Sequence, residues 1–411
     1  MQDLLKFLKT NKSFLIWGFA QEGRSTYNFL RKNMPDVKIA IADSKRVKDL
    51  PEDVEFIKSD IPIEALSSYE LVLKSPGISL HKCEISDGDY PITSQTELAL
   101  RFFSKQIIGI TGTKGKSTTA TLIHEMLLES KRESHLVGNI GVPFFDCLNS
   151  ISDETFIVYE LSSHQLDNVH FSPHIAVLLN LYQEHLDYYG SIEKYYEAKK
   201  QIFRHQNEDD WLFHNIENSF NSKSKTVEIT KEVIDKKWHI PIHVHKLSVQ
   251  AVKCVANILN IDQIHVRSVI ENFEGLPHRL ELVGNFKGFS YYNDSISTAA
   301  ESTQFALAQI PNVYTLIMGG DDRGIDYREL AKSLISSDVK LVITMFQSGK
   351  VLNELLKGSN IELFHTDDFD EALRYSKKNV LFSPASASYG SFKNFMQRGV
   401  AFKDAVIRKF K

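Results

Sequence analysis

The residues most able to do chemistry form a glycine-rich stretch from Gly109 to Thr118, with the sequence Gly-Ile-Thr-Gly-Thr-Lys-Gly-Lys-Ser-Thr. Glycines let backbone N–H groups approach phosphate oxygens, Lys116 adds a positive charge, and Ser117 offers a hydroxyl ligand for Mg²⁺. A strand-like run precedes the stretch and a helix-like run follows it, as a phosphate-binding loop requires. Ile110 occupies the place of the usual first glycine, and a plain turn is the alternative interpretation. The stretch predicts binding of a nucleoside triphosphate, with contacts from Gly112, Thr113, Lys114, Gly115, Lys116, Ser117 and Thr118.

Two later strand-like runs end in polar side chains that would face this loop. Residues 155–159 lead to Glu160, and residues 175–179 lead to Asn180. The carboxyl ends of parallel strands share one edge of a sheet, so we expect both side chains near the loop. Because Mg²⁺ prefers oxygen ligands, Glu160 is a candidate magnesium ligand.

A second ligand-binding edge is predicted near the N-terminus. Residues 13–18 form a strand-like run, a turn beginning at Gly18 leads into a helix, and the next strand ends at Asp43. This unit resembles the start of a dinucleotide-binding domain, but Ala20 replaces the middle glycine, so NAD binding is not assumed. The segment Ser75-Pro76-Gly77 follows a further strand and is either a ligand loop or a simple tight turn.

These candidate sites require three α/β units to position them, because strand-like and helix-like runs alternate along the chain. Its 411 residues exceed one ordinary core. We predict an N-terminal Rossmann-like domain at residues 1–94, a central P-loop domain with a mostly parallel sheet at 95–275, and a C-terminal Rossmann-like domain at 276–411. Strands at 281–286 and 289–293 open the third unit.

Composition excludes several classes of protein. The net charge of −4 gives no reason to expect nucleic acid as a partner. No apolar run has the length of a membrane span or the pattern of a signal peptide. The three cysteines lack metal-ligand spacing, which favours reduced thiols in the cytoplasm. We expect a cytoplasmic monomer that binds neither nucleic acid nor a membrane.

Motifs spread over the whole chain resemble the Mur ligase family of peptidoglycan synthesis. The phosphate-binding loop is joined by Gly138-Asn139-Ile140-Gly141, Glu160-Leu161-Ser162-Ser163-His164-Gln165-Leu166, Glu184-His185-Leu186-Asp187, Ala198-Lys199, Leu276-Pro277-His278-Arg279, Asn293-Asp294-Ser295 and Ser383-Pro384-Ala385-Ser386-Ala387-Ser388. The segment 393–399 is similar to the branch that adds D-glutamate. The resemblance implies an ATP-dependent ligase that joins D-glutamate to UDP-N-acetylmuramoyl-L-alanine through an acyl phosphate.

The resemblance also implies roles at the reaction centre. Lys116 and Arg279 would offset the repulsion between a carboxylate and ATP. Lys199 matches a lysine that carries a carbamate, which offers oxygen ligands to Mg²⁺ where an ammonium would repel the metal. The implied catalytic residues are Lys116, Glu160, His185, Lys199 and Arg279, and the implied metal site consists of Ser117, Glu160, His185 and Lys199.

Substrate contacts are implied in the same way. The residues matched to the nucleotide-sugar are Gly18, Gln21, Glu22, Asp43, Ser44, Ser75, Gly77, Asn139, Ser162 and Gln165. Gln250, Arg279 and Asp294 join the loop in the ATP site. The residues matched to the incoming amino acid are Thr298, Arg323, Ser388 and Phe395, in which a cation and a hydroxyl suit its carboxylates.

Three positions depart from the family pattern. Ile296 occupies a position where the family often has lysine, Arg323 replaces a lysine, and Gln250 is the plausible amide where the family has asparagines near adenine. A ligase that adds L-glutamate or lysine therefore remains an alternative, as does a non-catalytic nucleotide-binding regulator. Retention of the implied metal-site residues argues against the regulator.

Overall fold

The computed structural model describes residues 1–45, 47, 49–182, 186–216, 221–230, 238–241, 243–322, 324–388 and 390–411, with the backbone alone at 186 and 187. The described chain forms two compact units. The first consists of Met1–His239 and His245–Asn272, and the second consists of Ile240–Val244 and Phe273–Lys411.

The first unit begins with a sheet of parallel strands. Its elements are α1 (Gln2–Leu8), β1 (Ser13–Trp17), α2 (Gln21–Asn33), β2 (Lys38–Asp43), β3 (Glu55–Lys58), α3 (Ile63–Ser68), β4 (Leu71–Lys74) and β5 (Ile92–Thr93). The strand order is β3-β2-β1-β4-β5. β1, β2 and β4 are buried along nearly their whole length, as expected of strands covered on both faces. Their carboxyl ends therefore meet at one edge.

The second sheet of this unit holds the phosphate-binding loop. Its strands are parallel and lie in the order β11-β10-β9-β6-β8-β7. The elements are α4 (Gln95–Phe103), β6 (Ile107–Thr111), α5 (Lys116–Glu129), β7 (Ser134–Gly138), α6 (Phe144–Cys147), β8 (Phe156–Glu160), α7 (Ser163–Leu166), β9 (Ile175–Leu178), α8 (Leu186–Tyr189), α9 (Ile192–Arg204), β10 (Trp211–His214), β11 (Lys225–Glu228), α10 (Lys246–Ile258) and α11 (Gln263–Glu271), with short 3-10 helices at 104–106 and 148–150.

Side chains on α2, α4 and α6 join the two sheets of the first unit. The Gln95 amide donates to the Glu22 carbonyl and accepts from the Phe145 N–H. The Ser25 hydroxyl donates to the Asp146 carboxylate at 2.6 Å. The rings of Phe29 and Phe145 lie 4.5 Å apart within one continuous apolar core. The proposed domain limit at residue 94 stays a prediction.

The second unit contains one mixed sheet. Its elements are β12 (Glu281–Phe286), β13 (Phe289–Asn293), α12 (Ala300–Gln309), β14 (Thr315–Met318), α13 (Arg328–Ile335), β15 (Leu341–Thr344), α14 (Phe346–Leu356), β16 (Glu362–His365), α15 (Phe369–Tyr375), β17 (Val380–Phe382) and α16 (Phe395–Phe410). The strand order is β12-β13-β17-β14-β15-β16, in which β12 and β13 pair antiparallel and the other neighbours pair parallel.

The predicted α/β class with mostly parallel sheets is confirmed. Among the described residues, no helix combines the length and the apolar character that a bilayer-spanning segment requires.

Candidate active site

The phosphate-binding loop lies between β6 and α5, where the sequence predicts it. Gly112 and Gly115 have φ angles of +149° and +88°, which residues with a side chain rarely adopt. A Cβ on Gly112 would lie 3.0 Å from the Leu179 Cβ atom. The N-terminus of α5 follows directly, and its N–H groups and dipole favour a bound anion. Backbone geometry and helix direction therefore both suit a phosphate.

Asn180 holds the loop in this conformation. Its side-chain oxygen accepts from the Lys114 N–H at 2.8 Å, and its amide donates to the Lys114 carbonyl at 2.9 Å. The Asn180 carbonyl accepts from the Thr113 N–H at 2.9 Å. The sequence placed Asn180 near the loop but gave it no role. Its position after β9, the strand beside β6, was the available signal.

Two lysine side chains meet at one backbone carbonyl of the loop. The Lys116 ammonium donates to the carbonyls of Gly112 and Thr113 at 3.0 and 3.1 Å. The Lys199 ammonium, from α9, donates to the same Gly112 carbonyl at 2.9 Å. Lys199 is only 2% exposed. Like charges this close repel each other, and little water is present to screen the repulsion.

Tyr195 forms the wall beside this lysine pair, a role that the sequence prediction missed. Its ring lies 5.1 Å from the Lys199 ammonium, and its hydroxyl is 3.1 Å from the Thr113 hydroxyl. The Thr113 hydroxyl also accepts from the Tyr182 N–H at 2.9 Å. Spacing of four residues on α9 places Tyr195 and Lys199 on one helix face, and that spacing was the signal for this contact.

Glu160 ends β8 and is fully buried beside the loop, because β8 pairs with β6. One carboxylate oxygen accepts from the Asn139 amide at 2.8 Å. The other is enclosed and accepts no hydrogen bond from the residues that the structure describes. Ser117, in the first turn of α5, is 6% exposed. A carboxylate oxygen that accepts no hydrogen bond from the described chain, together with a hydroxyl at the start of α5, fits the oxygen-ligand chemistry of Mg²⁺.

This donor set is small for a metal site made of protein alone. Within the described part of the chain, no group of three or more His, Cys, Asp or Glu side chains gathers around a possible ion. The predicted ligand His185 lies outside the described residues. A Mg²⁺ ion bound by Glu160 and Ser117 would complete its shell with phosphate oxygens and water, as is usual for nucleotide sites.

The other predicted ATP contacts of the first unit lie on α5 and α10. The Thr119 hydroxyl donates to the Ser248 hydroxyl at 2.9 Å and joins the two helices. Gln250 lies on the same helix as Ser248 and is 8% exposed, and Thr118 is similarly buried. The structure therefore brings α10 against the helix that follows the loop.

The predicted nucleotide-sugar residues Gly18, Asp43 and Ser75 gather where β1, β2 and β4 end. The Ser75 hydroxyl donates to the Gly18 carbonyl at 2.9 Å. The Asp43 carboxylate accepts from the N–H groups of Phe19 and Lys45 at 2.9 and 3.0 Å, so it holds the loop that follows β1. Three further predicted contacts are exposed, namely Gln21, Ser44 and Gly77.

Ser162 and Gln165 have a local structural role. The Ser162 hydroxyl accepts from the Gln165 N–H, and the Gln165 side chain accepts from the Ser162 N–H, which forms a capping box at the start of α7. Their predicted contact with the sugar-peptide part of a substrate stays a prediction.

In the second unit, the Asp294 carboxylate accepts hydrogen bonds from three other residues of the same unit. It accepts from the hydroxyls of Ser297 and Ser383 at 2.5 and 2.8 Å and from the Leu280 N–H at 3.2 Å. Burial raises the pKa of Asp294 to about 6, and these hydrogen bonds and the charge of Arg279 act in the opposite direction. The predicted ribose contact stays a prediction.

The predicted amino-acid contacts Thr298, Ser388 and Phe395 lie on separate segments of this unit. Thr298 is exposed, Ser388 is buried, and Phe395 begins α16. The Phe395 carbonyl accepts from the Ser295 hydroxyl at 2.8 Å. Arg323 lies outside the described residues.

Arg398, a buried cation on α16, connects these segments. Its guanidinium donates to the hydroxyl and carbonyl of Ser295 at 3.1 and 2.8 Å and to the carbonyls of Ser386 and Ala387 at 2.9 and 3.0 Å. Burial lowers its pKa to about 10, so it stays charged at neutral pH. Arg398 thus ties the loop after β13 to the loop after β17.

Replacing Arg398 with methionine is expected to lower the free energy of unfolding by about 3 to 5 kcal/mol, because four buried acceptors lose a charged donor. Urea unfolding of the full chain measures this loss. The matched control is Arg408→Met on the same helix, which removes an exposed ion pair with Asp370 and should cost less than about 1 kcal/mol. Equal losses in the two variants would contradict the tying role.

A family model and several known ligases are similar in sequence to this chain. Residues 110–300 match the family model described as the Mur ligase middle domain. The UDP-N-acetylmuramoylalanine–D-glutamate ligase of Oenococcus oeni is 32% identical over 96% of this chain and 97% of its own length. The ligase of the same name from Oceanobacillus iheyensis is also 32% identical, with the same coverage.

Solved structures share the fold at lower identity. The UDP-N-acetylmuramate–alanine ligase of Thermotoga maritima has a TM-score of 0.59 and 18% identity, covering 97% of this chain and 100% of its own. The MurF ligase of Thermotoga maritima in complex with ADP has a TM-score of 0.57 and 17% identity, covering all of both chains.

Proposed function

The chain belongs to the Mur ligase family, in the branch of UDP-N-acetylmuramoylalanine–D-glutamate ligases, and on this premise we propose how its residues carry out the reaction. It is an ATP-dependent ligase that joins D-glutamate to UDP-N-acetylmuramoyl-L-alanine in peptidoglycan precursor synthesis, and it uses a metal with ATP. The residue assignment rests chiefly on the phosphate-binding loop beside Glu160, whose buried carboxylate keeps one oxygen without a hydrogen bond among the described residues.

In the proposed first step, the alanyl carboxylate attacks the γ-phosphorus of ATP, ADP leaves, and an acyl phosphate forms. Two anions must approach each other, so cations have to offset their repulsion. Lys116 and Arg279 are proposed as these cations, while the loop N–H groups hold the phosphates. Bound Mg²⁺ supplies further charge neutralisation, and the residues proposed to hold it are Ser117, Glu160, His185 and the carbamate of Lys199.

The carbamate is proposed to form when the neutral Lys199 amine bonds to the carbon of CO₂ and loses a proton. The support is electrostatic: the Lys199 and Lys116 ammonium groups share the Gly112 carbonyl. Turning one of the two cations into an anion replaces repulsion with attraction and provides oxygen ligands for Mg²⁺.

In the proposed second step, the amine of D-glutamate attacks the acyl carbon and phosphate leaves. The contacts proposed for the amino acid are Thr298, Arg323, Ser388 and Phe395. Those proposed for the nucleotide-sugar are Gly18, Gln21, Glu22, Asp43, Ser44, Ser75, Gly77, Asn139, Ser162 and Gln165. Those proposed for ATP beyond the loop are Gln250, Arg279 and Asp294.

Phosphate release by the parent protein tests this function. We expect release that requires ATP, UDP-N-acetylmuramoyl-L-alanine and D-glutamate together. Parallel reactions with L-glutamate and with lysine test which amino acid is added, because Ile296 places an apolar side chain where the family often has a cation. Faster release with either of these would redirect the amino-acid assignment, and no release with any amino acid would overturn the catalytic role.

We further propose that the enzyme has domains at 1–94, 95–275 and 276–411 and acts as a cytoplasmic monomer without nucleic acid or membrane partners. The net charge of −4 supports the absence of a nucleic-acid partner, and the free cysteines support a cytoplasmic location. Size-exclusion chromatography with light scattering should give a mass near the 46.9 kDa of one chain.

A further inference from the structure

A buried lysine ends β4, directly beneath the loop that carries Ser75 and Gly77. Lys74 is 6% exposed, and its ammonium donates to the Ile78 carbonyl at 3.0 Å. The Tyr188 hydroxyl donates to the same carbonyl at 3.2 Å. The Ile78 N–H donates to the Ser75 carbonyl at 3.2 Å. The Lys74 ammonium therefore stabilises the loop from Ser75 to Ile78 by binding its last carbonyl.

The negative charges of two carboxylates on other segments act on this ammonium. Glu22 lies in the first turn of α2, and Asp167 follows α7. Burial lowers the pKa of Lys74, and the negative charges of Asp167 and Glu22 act in the opposite direction. Burial raises the pKa of Glu22 to about 7 against the charge of Lys74. The pKa of Asp167 is also raised by burial, against the charges of His81 and Lys74.

The carboxylates are not fully satisfied by hydrogen bonds. One oxygen of Glu22 and one of Asp167 are enclosed and accept no hydrogen bond from the described part of the chain. The other Asp167 oxygen lies 4.0 Å from a ring nitrogen of His81. Burial of these charged groups carries a desolvation penalty, and replacing such groups with apolar residues often leaves the free energy of unfolding unchanged. The cluster therefore contributes little to stability as such.

The position of the cluster indicates what it contributes instead. The Lys74 ammonium is hydrogen-bonded to the loop after β4, and the negative charges of Glu22 at the start of α2 and of Asp167 after α7 act on it. Each of these three segments carries residues proposed to contact the nucleotide-sugar: Ser75 and Gly77 in the first, Gln21 and Glu22 in the second, and Gln165 next to the third. One ammonium thus holds the first of these parts by a hydrogen bond and is attracted to acidic side chains on the other two.

We propose that Lys74 is a positioning residue for the nucleotide-sugar, which holds the loop 75–78 in one conformation before the substrate arrives. A preformed loop avoids the entropy cost of ordering it at each binding event. This inference rests on the proposed function in the assignment of Ser75 and Gly77 to the nucleotide-sugar.

Calorimetric titration of the full chain tests the proposal. Lys74→Met keeps the length of the side chain and removes its charge. We expect the Kd for UDP-N-acetylmuramoyl-L-alanine to rise at least ~10-fold, with the Kd for ADP changed less than ~2-fold. Lys74→Arg keeps the charge and should restore most of the affinity. Lys82→Met, at an exposed lysine eight residues further on, should leave both constants unchanged.

A folded Lys74→Met variant with parent-like affinity for the nucleotide-sugar would overturn the proposal, and so would equal weakening of both ligands. If Lys74→Met does not fold, the double variant Lys74→Met with Asp167→Asn replaces it in the test. The second substitution removes one carboxylate that has lost its positive neighbour, and the other, Glu22, can become neutral by taking up a proton. This double variant should still bind the nucleotide-sugar at least ~10-fold more weakly, because the Ile78 carbonyl has lost its charged donor. Parent-like binding there would overturn the proposal equally.

The parent protein separates this proposal from the proposed function. If the parent does not bind the nucleotide-sugar, the proposed function fails and the role of Lys74 fails with it. If the parent binds it and releases phosphate while Lys74→Met behaves like the parent, only the role of Lys74 is wrong.

Discussion

Replacing Lys199 with alanine is expected to reduce phosphate release at least ~10³-fold, which corresponds to about 4 kcal/mol of lost transition-state stabilisation. The side chain is buried against the Gly112 carbonyl and the Tyr195 ring. We therefore expect no other lysine to supply its function in the variant. If Lys199 acts as a carbamate, acetate should partly restore turnover in the variant, and removal of CO₂ and bicarbonate should slow the parent. Steady-state phosphate release with and without these additions measures both effects.

Lys200→Ala is the matched control for this prediction. Lys200 is the next residue of α9 and forms a surface ion pair with Glu197. Its replacement should leave turnover within about twofold, because exposed pairs contribute little. Circular dichroism should show that both variants are folded. A folded Lys199→Ala variant with parent-like turnover would rule out the metal-ligand role, and no response to acetate or bicarbonate would rule out the carbamate.

Replacing Lys116 with alanine is expected to lower phosphate release about 10³-fold or more, through a lower kcat as well as weaker nucleotide binding. In the structure its ammonium donates to the carbonyls of Gly112 and Thr113, which belong to the loop proposed to hold the phosphates. The fold should be preserved, because the side chain is only partly buried. Phosphate release and ADP titration together measure the effect.

Lys105→Ala serves as the control here, since Lys105 is exposed and lies two residues before β6. It should change neither turnover nor ADP affinity. Equal behaviour of Lys116→Ala and Lys105→Ala would exclude Lys116 from the reaction. Loss of ADP binding with full turnover at saturating ATP would instead reduce its role to binding.

Local patterns in the sequence predict much of this fold, because they depend on near neighbours. The strands expected at 281–286 and 289–293 are confirmed as β12 and β13. The loop at Gly112 is also where the sequence predicts it, since glycine, lysine and strand–helix context are all local. The antiparallel edge, in contrast, needed the structure to be assigned.

Contacts made by tertiary packing could not be predicted in this way. Asn180 reaches the loop only because β9 lies beside β6. Arg398 joins Ser295 to Ser386, on two loops that lie far apart in the sequence. Lys74 would be taken for an ordinary strand-end charge until its burial is known. A sequence gives the type of each side chain, but strand order decides which of them meet.

The hydrogen bonds that join α2 to α4 and α6 set a limit on how this enzyme can be divided. Ser25 is bound to Asp146, and the Glu22 carbonyl to Gln95, while Phe29 packs on Phe145. A fragment ending at residue 94 would lose all three partners and present an apolar helix face to water. The sheet that contains β1 to β5 is therefore not an exchangeable module. A functional graft would have to include α4 and α6 as well.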